Sequence, residues 1–131
     1  MEKEYPENLL LKLLQIYSPS GKEGAISKFL ANEMANLGFK VDIDEIGNVE
    51  GSYGKGKPEI LLCGHMDTIQ GPIEVRKRGK VIFGRGAVDA KSPLAALICS
   101  AKRHAEVNGK GSVTVLAVVD EEGKSKGMKY F

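Results

Sequence analysis

A chain of 131 residues, 42% hydrophobic and 27% charged, has the size and make-up of one soluble globular domain. Its nineteen Lys and Arg are interleaved with seventeen Asp and Glu, for a formal charge of +2, which argues against a nucleic acid or other polyanionic partner. The opening residues lack the basic start and cleavage site of a signal peptide, no run is long enough to span a membrane, and Cys63 and Cys99, without CxxC spacing, read as buried thiols of a reducing, cytoplasmic compartment.

Pro6 opens a helical pattern with Leu9, Leu10, Leu13, Leu14 and Tyr17 as its apolar stripe, ended by the cluster Ser18-Pro19-Ser20-Gly21. A second helix carries Ile26, Phe29, Leu30, Met34 and Leu37, with Gly38 at the position that favours a left-handed residue. The period then changes to two. Val41, Ile43 and Ile46 lead to Gly47-Asn48, and Val49 to Tyr53 returns as the other arm of a hairpin.

After the surface turn Gly54 to Pro58, the uninterrupted apolar run Ile60 to Cys63 predicts a strand buried on both faces of a largely parallel sheet, and Val113 to Val119 predicts another. Between them lie two short strand candidates, Ile73 to Arg76 and Val81 to Phe83, joined by a turn at Lys77 to Lys80. A third helix starts with Ser92 as N-cap and Pro93 at its first position, buries Leu94, Leu97, Ile98, Ala101 and Ala105, and closes at Asn108-Gly109. His104 belongs to its last turns as a structural residue, and Lys126 to Phe131 looks like the first turn of a further helix. Strand, loop, helix, strand is the rhythm of an α/β sandwich: three layers around a mostly parallel sheet, incomplete because the chain stops soon after a buried strand.

Three clusters able to carry chemistry fall where strands give way to loops, the edge at which open α/β sheets bind ligands. In GHMDT, His65 can offer one ring nitrogen to zinc while a carboxylate such as Asp67 fixes the other. In GRGAVDAKS, Asp89 stands before the third helix, and its two oxygens can bridge two cations. In VVDEEGKS, Asp120, Glu121 and Glu122 leave a strand side by side, an arrangement that is costly without a cation to neutralise it. Adjacent residues point opposite ways, so Glu121 and Glu122 should have different tasks. Arg85 and Lys91 flank Asp89 but read equally well as a turn charge and a solvated lysine, and stay outside the site.

With these motifs in this order, the chain resembles the di-zinc aminoacylase and carboxypeptidase family that includes acetylornithine deacetylase, succinyl-diaminopimelate desuccinylase and glutamate carboxypeptidases. The resemblance runs from the first helix to Phe131 and implies the phosphorylase/hydrolase-like catalytic domain of zinc peptidases. It implies that His65 binds one zinc, Asp89 bridges two, Glu122 binds the other, Asp67 orients His65 and Glu121 is the general base, with cobalt able to replace zinc.

Two departures, the short stretch from Asp67 to Gly84 without tryptophan and Ser92-Pro93 in place of a glycine pair, are similar to the branch that releases lysine or ornithine from an N-acetyl form or an amino-group carrier protein. The resemblance also places a further acidic ligand, a distant histidine and a dimerisation domain beyond Phe131, in a protein expected to be a homodimer. Residues 1–131 would then be the N-terminal part of the catalytic domain, leaving each zinc two protein ligands, so this stretch alone is expected to bind metal weakly and to be inactive. A zinc aminopeptidase of related fold and a non-catalytic binding module are the competing readings.

Overall fold

The computed structural model describes residues 1–131. The elements in chain order are α1 (Tyr5–Gln15), α2 (Gly24–Asn36), β1 (Lys40–Ile43), β2 (Val49–Lys55), β3 (Glu59–His65), β4 (Arg76–Arg78), β5 (Val81–Phe83), α3 (Lys91–Glu106), β6 (Gly111–Val118) and α4 (Lys126–Tyr130). The main sheet has the order β1-β2-β6-β3, and β4 and β5 form a separate antiparallel pair. The α/β architecture expected from the sequence is present, with a mixed sheet: β3 runs parallel to β6, while β1-β2 and β2-β6 are antiparallel.

Two glycines show which face the helices cover. A Cβ on Gly51 would meet Met34 Sδ of α2 at 2.7 Å, and one on Gly64 would meet Leu97 and Leu94 of α3 at 3.3 and 3.4 Å. Gly51 is paired with Val115 and Gly64 with Ala117, two residues apart on β6 and therefore on one face. α2 and α3 thus lie on the same side of the sheet, and α1 packs against α3. The core there joins Leu9 and Leu13, Ile26, Leu30 and Met34, Leu94 and Ile98, and Val49, Val113, Val115 and Ala117. These are the apolar stripes read from the periodicity of each helix.

Several expectations need correction. The Ile60 to Cys63 run is not buried on both faces: β3 is an edge strand of this sheet, Ile60 and Leu61 are 46% and 47% exposed, and Cys63 is an exposed free thiol while Cys99 is buried. The continuous apolar run marks a strand that has only one neighbour here. Lys77 and Arg78 lie in β4 and not in a turn, paired with Ile82 and Val81. Tyr17 falls outside α1 and is exposed, its hydroxyl accepting the Gly71 amide at 2.8 Å. Ser92 is not the N-cap of α3; the helix already includes Lys91, capped at Ala90 without a side-chain bond, and Pro93 still falls in the first turn, where no intrahelical N–H is lost.

Helix α3 starts at Lys91 for a reason the sequence concealed. Lys91 is not a solvated lysine but 1% exposed, and its Nζ donates to the carbonyls of Leu13 at 3.0 Å and Ile16 at 2.6 Å, closing the C-terminal end of α1. A cation there binds the Ile16 carbonyl, joins the Ile16 amide on the Leu13 carbonyl and meets the negative end of the helix dipole. Burial depresses the Lys91 pKa to about 8. Replacement by Met removes both donors and should lower stability by about 1–3 kcal/mol. Because the unfolded chain holds the proton to higher pH, burial of the charge costs most below pH 8 and is relieved as pH rises above that value. Urea unfolding should therefore show the wild type gaining stability on the variant between pH 8 and 10.

Candidate metal centre

β3 and β6 run parallel, so both deliver their carboxyl ends to the same rim of the sheet. β3 ends on His65 and β6 ends two residues before Asp120. Asp89 reaches the same rim from the loop that enters α3, its peptide bond to Ala90 being cis. All three sequence clusters converge. His65 Nε2 lies 3.0 Å from Asp89 Oδ1 and 3.5 Å from Glu121 Oε2. Ligand atoms of His65, Glu121 and Glu122 fall within 4.8 Å of one another. Asp89 and Glu122 line one cleft, and the nearness of Asp89 is among the causes that raise the Glu122 pKa. Asp89 and Glu121 are 70% and 50% exposed and open to ligand, and no lysine or arginine pairs with any of the three carboxylates.

The tautomer of His65 follows from its partners. Nδ1 is 2.8 Å from the backbone carbonyl of Asp67, an acceptor only, so Nδ1 carries the hydrogen and the Nε2 lone pair of the neutral ring faces Asp89 and the glutamates. The Asp67 carboxylate is 3.4 Å from Nδ1, so its backbone oxygen is the closer restraint on the ring.

Asp67 is wholly buried, and most of its bonding is to the acidic turn. Oδ1 accepts the Glu121 amide at 3.0 Å, and Oδ2 accepts the Glu122 amide at 3.0 Å and the Ser20 hydroxyl at 2.6 Å. Burial alone would raise its pKa; the bonds from His65, Ser20 and the two amides outweigh it and hold the carboxyl down to about 2.

Sequence reasoning singled out His65, Asp67, Asp89, Glu121 and Glu122, and all five meet. Asp120, from the same triplet, does not: it adopts φ +59° and uses its own carboxylate on the amides of Lys124 and Lys126. Arg85 holds the Gly71 carbonyl at 2.6 Å. His104 Nε2 lies 3.2 Å from the Lys110 carbonyl, as befits a structural residue at the end of α3. Ser20 was passed over because a Ser-Pro-Ser-Gly cluster looks like any helix-ending turn.

The donor set fits a pair of divalent cations: one imidazole nitrogen and three carboxylates gathered around it, with no lysine or arginine as counter-charge. In the absence of a cation the crowding falls on the protons. The Asp67 side chain is the largest cause raising the His65 pKa, which reaches about 9 against the opposing effect of burial, with Asp89 adding to it. Partial loss of hydration, then the Asp89 hydrogen bond and the charges of Asp89 and Glu121, raise that of Glu122. At pH 7 the metal-free ring is protonated, so a metal must displace that proton, and affinity should increase with pH up to about 9. Calorimetric zinc titrations at pH 7 in buffers of different ionisation enthalpy should show close to one proton released from this histidine, and His65→Ala should abolish it.

Residues 61–131 match the family model described as peptidase family M20/M25/M40, which is more than half of the chain. The chain belongs to that family. A putative LysW-lysine/LysW-ornithine hydrolase of Pyrococcus abyssi is 43% identical over 127 residues, covering 97% of this chain and 36% of that protein. The LysW-lysine/LysW-ornithine hydrolase of Sulfurisphaera tokodaii is 41% identical over 124 residues, covering 94% and 34%. The chain thus spans about a third of the length of the curated relatives it matches. Among solved structures, the aminopeptidase PepT of Bacillus cereus superposes with a TM-score of 0.83 at 25% identity, over all of this chain and 40% of that one. The dipeptidase Dug1p of Saccharomyces cerevisiae superposes at 0.84 with 17% identity, over 98% and 34%, which speaks to the fold.

Proposed function

We propose that this chain is the N-terminal part of the catalytic domain of a metal-dependent hydrolase that cleaves an amide bond to release lysine or ornithine from an amino-group carrier protein or an N-acyl form. The observation that carries this reading is the meeting of His65, Asp89, Glu121 and Glu122 at one rim of the sheet. Relatives at 41–43% identity named for hydrolysis of LysW-linked lysine and ornithine support the substrate. Beside the carboxylates a cleft of about 320 Å³, lined by Ile69, Arg85, Val88, Asp89 and Glu122, gives an amide access.

In this reading His65 and Glu122 would each hold one zinc ion, Asp89 would be shared by the two, and cobalt could replace zinc. The ions, when bound, supply Lewis-acid polarisation of water and of the scissile carbonyl. Glu121, half-exposed at the rim, takes a proton from the attacking water as the carbon–oxygen bond forms, and gives it to the leaving amine nitrogen as the carbon–nitrogen bond breaks. Asp67 keeps the His65 ring and both glutamates in place. With two ligands for each ion, residues 1–131 alone would hold the pair loosely, since catalytic zinc normally has three protein ligands. A cytoplasmic homodimer completes the proposal; no helix is long and apolar enough to cross a membrane.

The reading is tested in the intact protein with zinc or cobalt restored after chelation. Lysine should be released from its carrier-linked or N-acetyl form, while lysine p-nitroanilide should remain uncut. Cleavage of the anilide alone would favour the aminopeptidase reading, to which the likeness to PepT lends weight. No turnover of either substrate, together with a thermal melt indifferent to chelator, would leave only a binding module.

A further inference from the structure

The strand β6 loses its neighbour where β3 ends, and the backbone beyond it continues to donate hydrogen bonds, now to side chains. Four consecutive amides are taken this way. Val119 N donates to Asn48 Oδ1 at 3.0 Å, Asp120 N to Glu23 Oε2 at 2.8 Å, and Glu121 N and Glu122 N to the two oxygens of Asp67 at 3.0 Å each. Asp67 and Asn48 come from segments that flank the sheet; Glu23 comes from the N-terminal end of α2, 97 residues away in sequence.

Glu23 is an unusual residue to find there. It occupies the N-cap position of α2, where a carboxylate ordinarily accepts its own helix's first free amides, yet it makes no side-chain cap bond. It is only 7% exposed and takes part in no ion pair. Burying a carboxylate without a cation is expensive, so the bonds it does make should matter to the fold around them. Its partner amide belongs to Asp120, a non-glycine residue at φ +59°, a conformation that L side chains rarely adopt and that must be held by its surroundings. That left-handed residue turns the chain so that the next two side chains, Glu121 and Glu122, face His65.

We propose that Glu23 is a positioning residue for the acidic pair: by accepting the Asp120 amide it fixes the turn from which Glu121 and Glu122 project into the metal centre. The inference rests on the metal-site reading above and assigns Glu23 no contact with substrate or ion. What matters is an acceptor atom at the right reach, more than the charge itself.

Two substitutions in the intact protein separate reach from charge. Glu23→Asp keeps the carboxylate but withdraws it by one methylene; Glu23→Gln removes the charge but leaves an amide oxygen where the acceptor stood. Zinc affinity, measured by competition with a chromophoric chelator, should weaken about 10- to 100-fold in Glu23→Asp, the range for a lost partner behind a ligand, and stay within about threefold of wild type in Glu23→Gln. In zinc-free protein the Asp120 amide should exchange with solvent rapidly in Glu23→Asp and slowly in wild type and Glu23→Gln. If Glu23→Asp does not fold, Glu23→Met, which keeps the bulk without an acceptor, takes its place.

Wild-type affinity and exchange in Glu23→Asp, or a Glu23→Gln protein as impaired as Glu23→Asp, would overturn the proposal. If the wild type binds no zinc, the metal-site reading fails instead. Amide exchange then decides by itself whether Glu23 holds the turn: protection lost in Glu23→Asp upholds that role, and protection unchanged refutes it.

Discussion

Glu121→Gln should lower turnover by about 10²- to 10⁴-fold, the usual worth of a positioned general base, while zinc binding stays close to wild type. The substitution keeps the size and planarity of the side chain and removes only its ability to take a proton at neutral pH. Glu122→Gln is the matched comparison: a weakened ligand should cost zinc affinity and turnover together. The distinction matters because both glutamates lie in the same cluster around His65, and proximity alone does not divide the roles. Steady-state assays paired with zinc titrations of both variants check it; zinc affinity lost in Glu121→Gln and kept in Glu122→Gln would reverse the assignment.

The second large effect belongs to Asp67. Its buried carboxylate accepts from Ser20 and from the amides of Glu121 and Glu122, and stands beside protonated His65. Asp67→Ala leaves the part-buried amides of Glu121 and Glu122 without their acceptor and removes the buried carboxylate 3.4 Å from the imidazolium, and should destabilise the fold by about 3–5 kcal/mol, the range for breaking a buried charged pair. The same carboxyl sets a pH window. Its folded pKa is depressed to about 2, below the ordinary value of 3.8, so its stabilisation is complete above pH 3.8 and is lost as pH falls towards 2. Denaturant unfolding at pH 6 and pH 3 should show a smaller gap between wild type and Asp67→Ala at the lower pH.

These two predictions draw on residues of unequal visibility in the sequence. His65, Asp89 and the glutamate pair could be read only together, because an imidazole and carboxylates from three clusters at predicted strand ends and a helix entry point to cations where each alone has commoner uses. The helices were legible from Leu9 and Leu13, from Ile26, Leu30 and Met34, and from Leu94 and Ile98, whose spacing of three and four records one buried face. The supporting contacts were not. Lys91 and Glu23 act on backbone atoms of segments 75 to 97 residues away, and Ser20 on the Asp67 carboxylate 47 residues away, and partners that distant leave no trace in composition.

Burial misled in both directions for the same reason. Ile60 and Leu61 look like core but are half-exposed on a strand with one neighbour within residues 1–131, whereas Lys91 looks like surface but caps a helix inside. Whether a side chain is covered depends on which element packs over it. The start of α3 shifted by a residue or two because Ser92 and Pro93 are acceptable anywhere in a first turn, and the tertiary bonds of Lys91 decided the register.

The most direct measurement is anomalous diffraction at the zinc absorption edge from crystals of the intact protein grown with zinc. Two peaks about 3.5–4 Å apart, with the Asp89 carboxylate between them, His65 Nε2 against one and Glu122 against the other, are the expected result. Zinc bound elsewhere, with nothing beside Asp89, would contradict it.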